Sequence, residues 1–325
     1  MQKNLKQLVG VIAFLGLLST STAQERTNPK DQDTELGKVS WYRDYNQAVA
    51  LAVEQDKPIL ILFQEVPGCA TCKNYGKNVL SHPLMVEGIE DLFIPLAIFN
   101  NKGGKDKQTL EKFNEPSWNN PVVRIIDPLG KDIVKRVGSD YTAQGLHSAM
   151  TYALTIEKKA IPEYLKLLGD ELTANGNNTV KEKYFKMYCF WTGEKQLGSK
   201  DGVLNTEAGF MGGHEVVKVQ YDEKEISSAQ LTKFAGLNDF TPISKDHSYR
   251  PATSDEDYFL RHTDYKYLPL TPLQRTKINS ALGNRESGIE YLSPKQLQWL
   301  IELDSKKNKG KVLYNQPFLN AWAAK

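Results

Sequence analysis

Three cysteines carry the chemistry open to this sequence. Cys69 and Cys72 stand three apart in Cys69-Ala70-Thr71-Cys72, and Cys189 stands alone before Phe190-Trp191. Two thiols one helical turn apart suit thiol–disulfide exchange, in which one sulfur attacks and the other resolves the mixed disulfide. At a helix N-terminus, free N–H groups and the helix dipole favour the thiolate, which is the reacting form. Cys69 is then the expected attacking sulfur and Cys72 the resolving one. A structural disulfide and a pair of metal ligands are the other uses of that spacing. Zinc takes about four ligands, and His82, His147, His214, His247 and His262 show no matching spacing. No metal and no cofactor is therefore expected, and three cysteines cannot build a disulfide framework.

The elements around the cysteine pair must place it. Tyr45 to Gln55 has apolar residues at helical spacing, and Ile59 to Phe63 is a continuous apolar run of the kind a buried strand uses. The cysteine pair follows, and Lys73 to Leu80 suits a helix. Leu92 to Phe99 suits a second strand, Pro121 precedes the apolar stretch 122–127, Ile133 to Val137 continues with β-branched residues, and Tyr141 to Thr155 suits a helix. A CxxC between a strand and a helix is the thioredoxin-type signature. Thioredoxin-like folds place a cis-proline opposite the CxxC, where it flanks the substrate groove, and Pro121 fits that place.

Val66-Pro67-Gly68-Cys69-Ala70-Thr71-Cys72 resembles the bacterial thioredoxin-like proteins and selenoproteins that share a Val-Pro-Gly-Sec-x-x-Thr motif. Cys69 stands at the selenocysteine position, and Cys72 replaces the usual Thr. The replacement restores a resolving thiol, so this chain is expected to cycle between dithiol and disulfide. The Trp-Cys-Gly-Pro-Cys of ordinary thioredoxins is absent.

The third cysteine lies in different surroundings. Lys183 to Trp191 suits a strand, Thr192 to Leu197 a helix start, Gly202 to Phe210 and Glu215 to Tyr221 two further strands, and Ser227 or Ser228 caps a helix. Cys189-Phe190-Trp191-Thr192-Gly193-Glu194, Gly209-Phe210-Met211-Gly212-Gly213, Glu215 to Asp222 and Ile226-Ser227 resemble, in series, the A-type peptide methionine sulfoxide reductases. Tyr267-Leu268-Pro269-Leu270-Thr271-Pro272 resembles a later segment of the same family. The resemblance implies Cys189 as nucleophile on a sulfoxide sulfur. It implies Phe190 and Trp191 as the pair that holds the substrate methyl, and Glu215 as the carboxylate that binds and protonates the sulfoxide oxygen. Asp246-His247-Ser248-Tyr249 resembles the segment that brings a tyrosine to that oxygen, with Tyr258, Tyr265 and Tyr267 as alternatives. This chain departs from the family in three ways. Tyr188 stands where the family has Gly, which is expected to narrow the approach to Cys189. The loop between Gly213 and Glu215 is almost deleted, and the tail has no recycling cysteine.

The expected architecture is an α/β thioredoxin-like domain over 40–174, a flexible linker over 175–179, and an α+β domain (a ferredoxin-like roll, methionine sulfoxide reductase A-like) over 180–325 with a helical C-terminal extension. A length of 325 residues accommodates two such units. Residues 1–23 have the form of a secretory signal peptide: Lys3 and Lys6, the apolar run Leu8 to Leu18, and small residues before a cut after Ala23. That run is too short for the roughly 20 residues that cross a bilayer. A flexible leader is expected over 24–39. Removing Lys3 and Lys6 from the 41 basic residues leaves 39, equal to the 39 acidic ones. A neutral mature chain gives no reason to expect nucleic acid as a partner. The expected location is periplasmic or secreted, without stable membrane insertion.

The leading functional expectation is an exported oxidoreductase whose CxxC reduces the Cys189 site. Its partners would be oxidised protein or peptide substrates and an external thiol donor. The alternatives are a disulfide reductase with a catalytically degenerate C-terminal binding module, and a non-enzymatic binding protein.

Overall fold

The computed structural model describes residues 26–325. The signal peptide expected over 1–23 lies outside the described residues. Among the described residues, no helix is long and apolar enough to cross a membrane.

The first unit runs α1 (Tyr45–Gln55), β1 (Ile59–Gln64), α2 (Ala70–Asn78), α3 (Pro83–Leu92), β2 (Ile94–Phe99), α4 (Lys105–Lys112), β3 (Val122–Ile126), α5 (Ala143–Ile156) and α6 (Glu163–Gly176). Its sheet has the order β2-β1-β3, with β2 parallel and β3 antiparallel to the central β1. All six residues of β1 are buried, as a strand covered on both faces requires. Leu60 and Leu62 face one core with α3, α5 and α6, while Ile59, Ile61 and Phe63 face the other with α1. This alternation fixes the end of β1, and so fixes where the CxxC loop begins.

Three sequence expectations change here. Ile133 to Val137 forms no named strand: only the single bridges Val123–Val137 and Ile126–Asp132 join it to β3. Helices α3 and α4 occupy stretches for which no element was expected. The described part of the leader, residues 26–39, is folded onto the first core. Leu36 and Val39 are buried there, and Leu36 O accepts a hydrogen bond from Trp41 Nε1 at 2.9 Å.

The second unit runs β4 (Val180–Met187), α7 (Phe190–Ser199), β5 (Val203–Met211), β6 (His214–Asp222), α8 (Ser228–Gly236), β7 (Thr241–Ile243), β8 (Arg250–Pro251), α9 (Tyr258–Arg261), α10 (Pro272–Gly283), α11 (Pro294–Asp304) and α12 (Phe318–Ala323). Its strands form one antiparallel sheet in the order β7-β4-β6-β5-β8. The strand expected to reach Trp191 ends at Met187, so Phe190 and Trp191 begin a helix instead. The near-deleted loop is a two-residue hairpin: Met211 pairs with His214, and Gly212 and Gly213 take φ of 57° and 79°. A two-residue turn with positive φ at both positions strongly favours glycine there. Ser227 caps α8 with a full capping box.

The two units are joined tightly. Helix α6 continues to Gly176, and Thr179 is buried with its N–H on Ala174 O (3.1 Å) and its carbonyl on Glu223 N (3.1 Å). Those bonds leave no flexible linker over 175–179. Glu171 of α6 accepts the Leu273 N–H at 2.8 Å, and Glu87 of α3 accepts the Lys295 N–H at 2.9 Å and the Ser293 hydroxyl at 3.1 Å. Phe318 stacks on His82 at 5.6 Å, and Phe318 and Trp322 pack against the first core. The C-terminal extension is therefore a clamp between the units.

Candidate active site

The first site is built at the end of β1. The Val66–Pro67 bond is cis, and Cys69 is the N-cap of α2 with an extended backbone (φ −70°, ψ 176°). Gly68 is required by close approach: a Cβ there would lie 2.3 Å from Glu65 O and 2.7 Å from Cys72 Cβ. The Gly68 N–H is held by the buried Glu35 carboxylate at 2.6 Å, so the N-terminal segment positions the loop. Gln64 Nε2 ties the same parts together, donating to Glu35 O (2.8 Å) and Cys72 O (3.3 Å).

Cys69 is exposed and Cys72 is buried, and their sulfurs are 3.5 Å apart. The two thiols are electrostatically unlike. The Cys72 N–H, aimed at the Cys69 sulfur from the first turn of α2, is the largest cause that lowers the Cys69 thiol below its ordinary value. Burial pushes Cys72 up to about 12, with the neighbouring Cys69 adding to it. The Cys72 S–H donates to Asn120 Oδ1 at 2.7 Å. The Asn120–Pro121 bond is cis, and Pro121 is buried at the start of β3. Pro121 thus stands next to the residue that holds the resolving sulfur. Asn120 itself was not expected, nor was Trp118, which is 81% exposed in the same loop. A tryptophan two residues before Asn120-Pro121 is the signal in the sequence, and its exposure is seen only in the fold.

This asymmetry predicts the order of chemical modification. With iodoacetamide and increasing pH, Cys69 is expected to alkylate with a midpoint below that of a free thiol. Cys72 is expected to stay unmodified until the pH nears 12 or the chain unfolds. Peptide mass spectrometry after timed alkylation checks both.

The second site lies at the N-terminus of α7. Cys189 is its N-cap and is half-buried. Glu215 stands on β6 opposite Met187, the last residue of β4, and its Oε2 accepts the Phe190 N–H at 2.8 Å. The carboxylate is thereby fixed one residue from Cys189. Phe190 is buried, in edge contact with Trp191 (6.1 Å) and Phe210 (5.5 Å). Trp191 stacks on Tyr258 at 3.9 Å. Tyr188 is 99% exposed, so it does not narrow the approach to Cys189.

Tyr249 is not brought to this group. Along β6, Val217, Val219 and Tyr221 face the core beneath α7 with Phe190, whereas Val216 packs on the other side with Tyr184, Met211 and Tyr249. The Tyr249 hydroxyl is hydrogen-bonded to Glu207 on that other side. The period of two along a strand sends Glu215 and Val216 to opposite faces. Tyr265 bonds Ser287 O and, with Tyr267, belongs to the C-terminal core. Tyr258 is therefore the tyrosine of this site.

One positioning residue was not expected. Glu194, fully buried, accepts the N–H of Ala208 (3.2 Å) and of Asp257 (2.9 Å). It ties α7 to β5 and to the residue before Tyr258. Burial, and next the nearby Asp257, push its carboxyl well above the ordinary range.

Residues 40–128 match the family model described as thioredoxin-like. The first unit is a thioredoxin-like domain. Peptide methionine sulfoxide reductase MsrA of Campylobacter jejuni (strain 81-176) is 38% identical over 73 residues, covering 18% of this chain and 44% of that protein. MsrA of Methanococcus maripaludis is 40% identical over 71 residues, covering 17% and 45%. The chain spans less than half the length of the curated relatives it matches. A solved structure titled DsbH oxidoreductase aligns with a TM-score of 0.31 at 16% identity, over 37% of this chain and 90% of its own. The chain thus combines a thioredoxin-like domain with a stretch of 71–73 residues similar to MsrA.

Proposed function

We propose that the chain is an exported thiol oxidoreductase in which Cys189 reduces a sulfoxide sulfur, of methionine or a related species, and Cys69/Cys72 then reduce Cys189. The observation that carries the reading is the Glu215 carboxylate held on the Phe190 N–H, beside a cysteine at a helix N-terminus. One Glu215 oxygen is occupied by that bond and the other is left for the oxygen of a substrate. Phe190, Trp191 and Tyr258 supply the apolar wall for a methyl group.

The steps balance. Cys189 attacks the sulfoxide sulfur, Glu215 protonates the oxygen, and the thioether leaves as Cys189 becomes a sulfenic acid. Cys69 attacks that sulfur, water departs, and a Cys69–Cys189 disulfide forms. Cys72 then attacks Cys69, which frees Cys189 as a thiol and leaves a Cys69–Cys72 disulfide for an external thiol donor. Among the described residues, no hydrogen bond, ion pair or aromatic contact joins residues 64–80 to the second unit. For transfer within one chain Cys69 must meet Cys189, and we assign that step to parting of the clamp. The Val66-Pro67-Gly68-Cys69 run supports kinship of the first unit with the Val-Pro-Gly-Sec group.

A second reading keeps only disulfide reduction by the first unit. It is favoured by the short Gly212-Gly213 hairpin and by the displaced Tyr249. Glu215→Gln separates the two. It is expected to lower the rate of methionine sulfoxide reduction by about 10²–10⁴, the usual worth of a positioned acid, while insulin disulfide reduction is unchanged. An unchanged sulfoxide rate contradicts the assignment of Glu215.

A further inference from the structure

Glu65 stands four residues before Cys69, just past the end of the strand that leads into the CxxC loop. Its carboxylate and the sulfurs of Cys69 and Cys72 all lie within 4.8 Å of one another. Among the described residues, that carboxylate has no ion pair and no hydrogen bond to another side chain, although it stands half-buried beside two thiols. We propose that the reduced Cys69/Cys72 pair and Glu65 form a binding site for a thiophilic divalent cation of the zinc class.

The geometry is close to what such an ion needs. Two thiolates at Zn–S of about 2.3 Å in a tetrahedron are separated by roughly 3.8 Å, and these sulfurs are 3.5 Å apart before any ion enters. A carboxylate oxygen at about 2.0–2.2 Å from the same ion is the third ligand. The backbone that presents the set is fixed independently of an ion. The Gly68 N–H is on Glu35, and Gln64 is on the carbonyls of Glu35 and Cys72. Cys69 is exposed, so the fourth position opens to solvent and gives both a path of entry and a place for water. Three protein ligands and an open position form a well-known zinc arrangement. Two thiol protons leave on binding, and no electron moves. The consequence is a block on redox chemistry: a chelated pair cannot attack a disulfide or a sulfenic acid. The site exists only in the dithiol state, because a Cys69–Cys72 disulfide removes both sulfur ligands.

The experiment uses the full mature chain, reduced and freed of reductant. It is titrated with Zn²⁺ against a chromophoric chelator, and with Co²⁺ to read the thiolate-to-cobalt charge-transfer band. The expected result is one ion per chain, loss of the band in Cys72→Ser and in the oxidised chain, and no change in Cys189→Ser. Glu65→Ala is expected to weaken binding at least tenfold and Glu65→His to restore it, which separates lost ligation from a disturbed loop. The site as proposed is overturned by absence of stoichiometric binding, by binding that survives Cys72→Ser or oxidation, or by an unchanged affinity in Glu65→Ala.

Discussion

Cys189→Ser is expected to reduce methionine sulfoxide turnover by at least about a thousandfold, since the attacking atom itself is lost. Reduction of insulin disulfide by Cys69/Cys72 is expected to remain at the wild-type rate. The two activities separate because the sites belong to different units with separate cores. Fold damage is expected to be small. Cys189 is half-buried at an N-cap and makes no side-chain cap bond, so serine fits there. The measurement is a paired assay of both substrates on the same preparation, with dithiothreitol as donor. Sulfoxide turnover independent of Cys189, with disulfide reduction intact, would leave the second unit as a binding module. Absence of both activities in the wild-type chain would favour a non-enzymatic protein.

The second large effect belongs to Cys72→Ser. Once the clamp parts so that the two sites can meet, a thiol tethered in the same chain acts at an effective concentration on the order of mM. If the external thiol is held near 10 µM, removal of the resolving sulfur is expected to slow steady-state sulfoxide turnover about a hundredfold. The variant is also expected to accumulate a mixed disulfide on Cys69, because nothing remains to release it. Turnover per chain that is independent of protein concentration marks transfer within one chain. A rate per chain that rises with concentration, or rescue on mixing Cys72→Ser with Cys189→Ser, marks transfer between chains. The close packing of α6, α10 and α12 makes this distinction informative, since among the described residues no hydrogen bond joins the CxxC loop to the second unit.

Much of this arrangement could be read from the residues. The run Ile59 to Phe63, the CxxC after it and Pro121 before β3 each announce their place through apolar continuity, spacing and backbone preference. A series of short motifs puts Glu215 with Cys189, whereas the helix start at Phe190 lay in a stretch that reads as strand. What could not be read depends on distant contacts. Glu35 lies in a polar, proline-containing stretch that resembles a leader, and only the fold carries it to Gly68. Tyr249 follows an Asp-His pair at a familiar place, yet the strand period turns it to the other face, and Trp191 finds Tyr258 instead. The sequence Ala174 to Thr179 has linker composition, and the hydrogen bonds of Thr179 make it rigid. Glu65 has no ligand spacing to any histidine, and only the fold brings its carboxylate beside the two thiols.

On the proposed path two electrons pass from Cys69/Cys72 through Cys189 to a sulfoxide. The most direct test adds one equivalent of peptide methionine sulfoxide to the fully reduced chain, without other thiols. Alkylation then stops the reaction, and mass spectrometry locates every sulfur. The expected result is one methionine formed per chain, Cys189 alkylated as a free thiol, and Cys69 joined to Cys72. Cys189 left as sulfenic acid with Cys69 and Cys72 both alkylated, or no methionine formed, would contradict it.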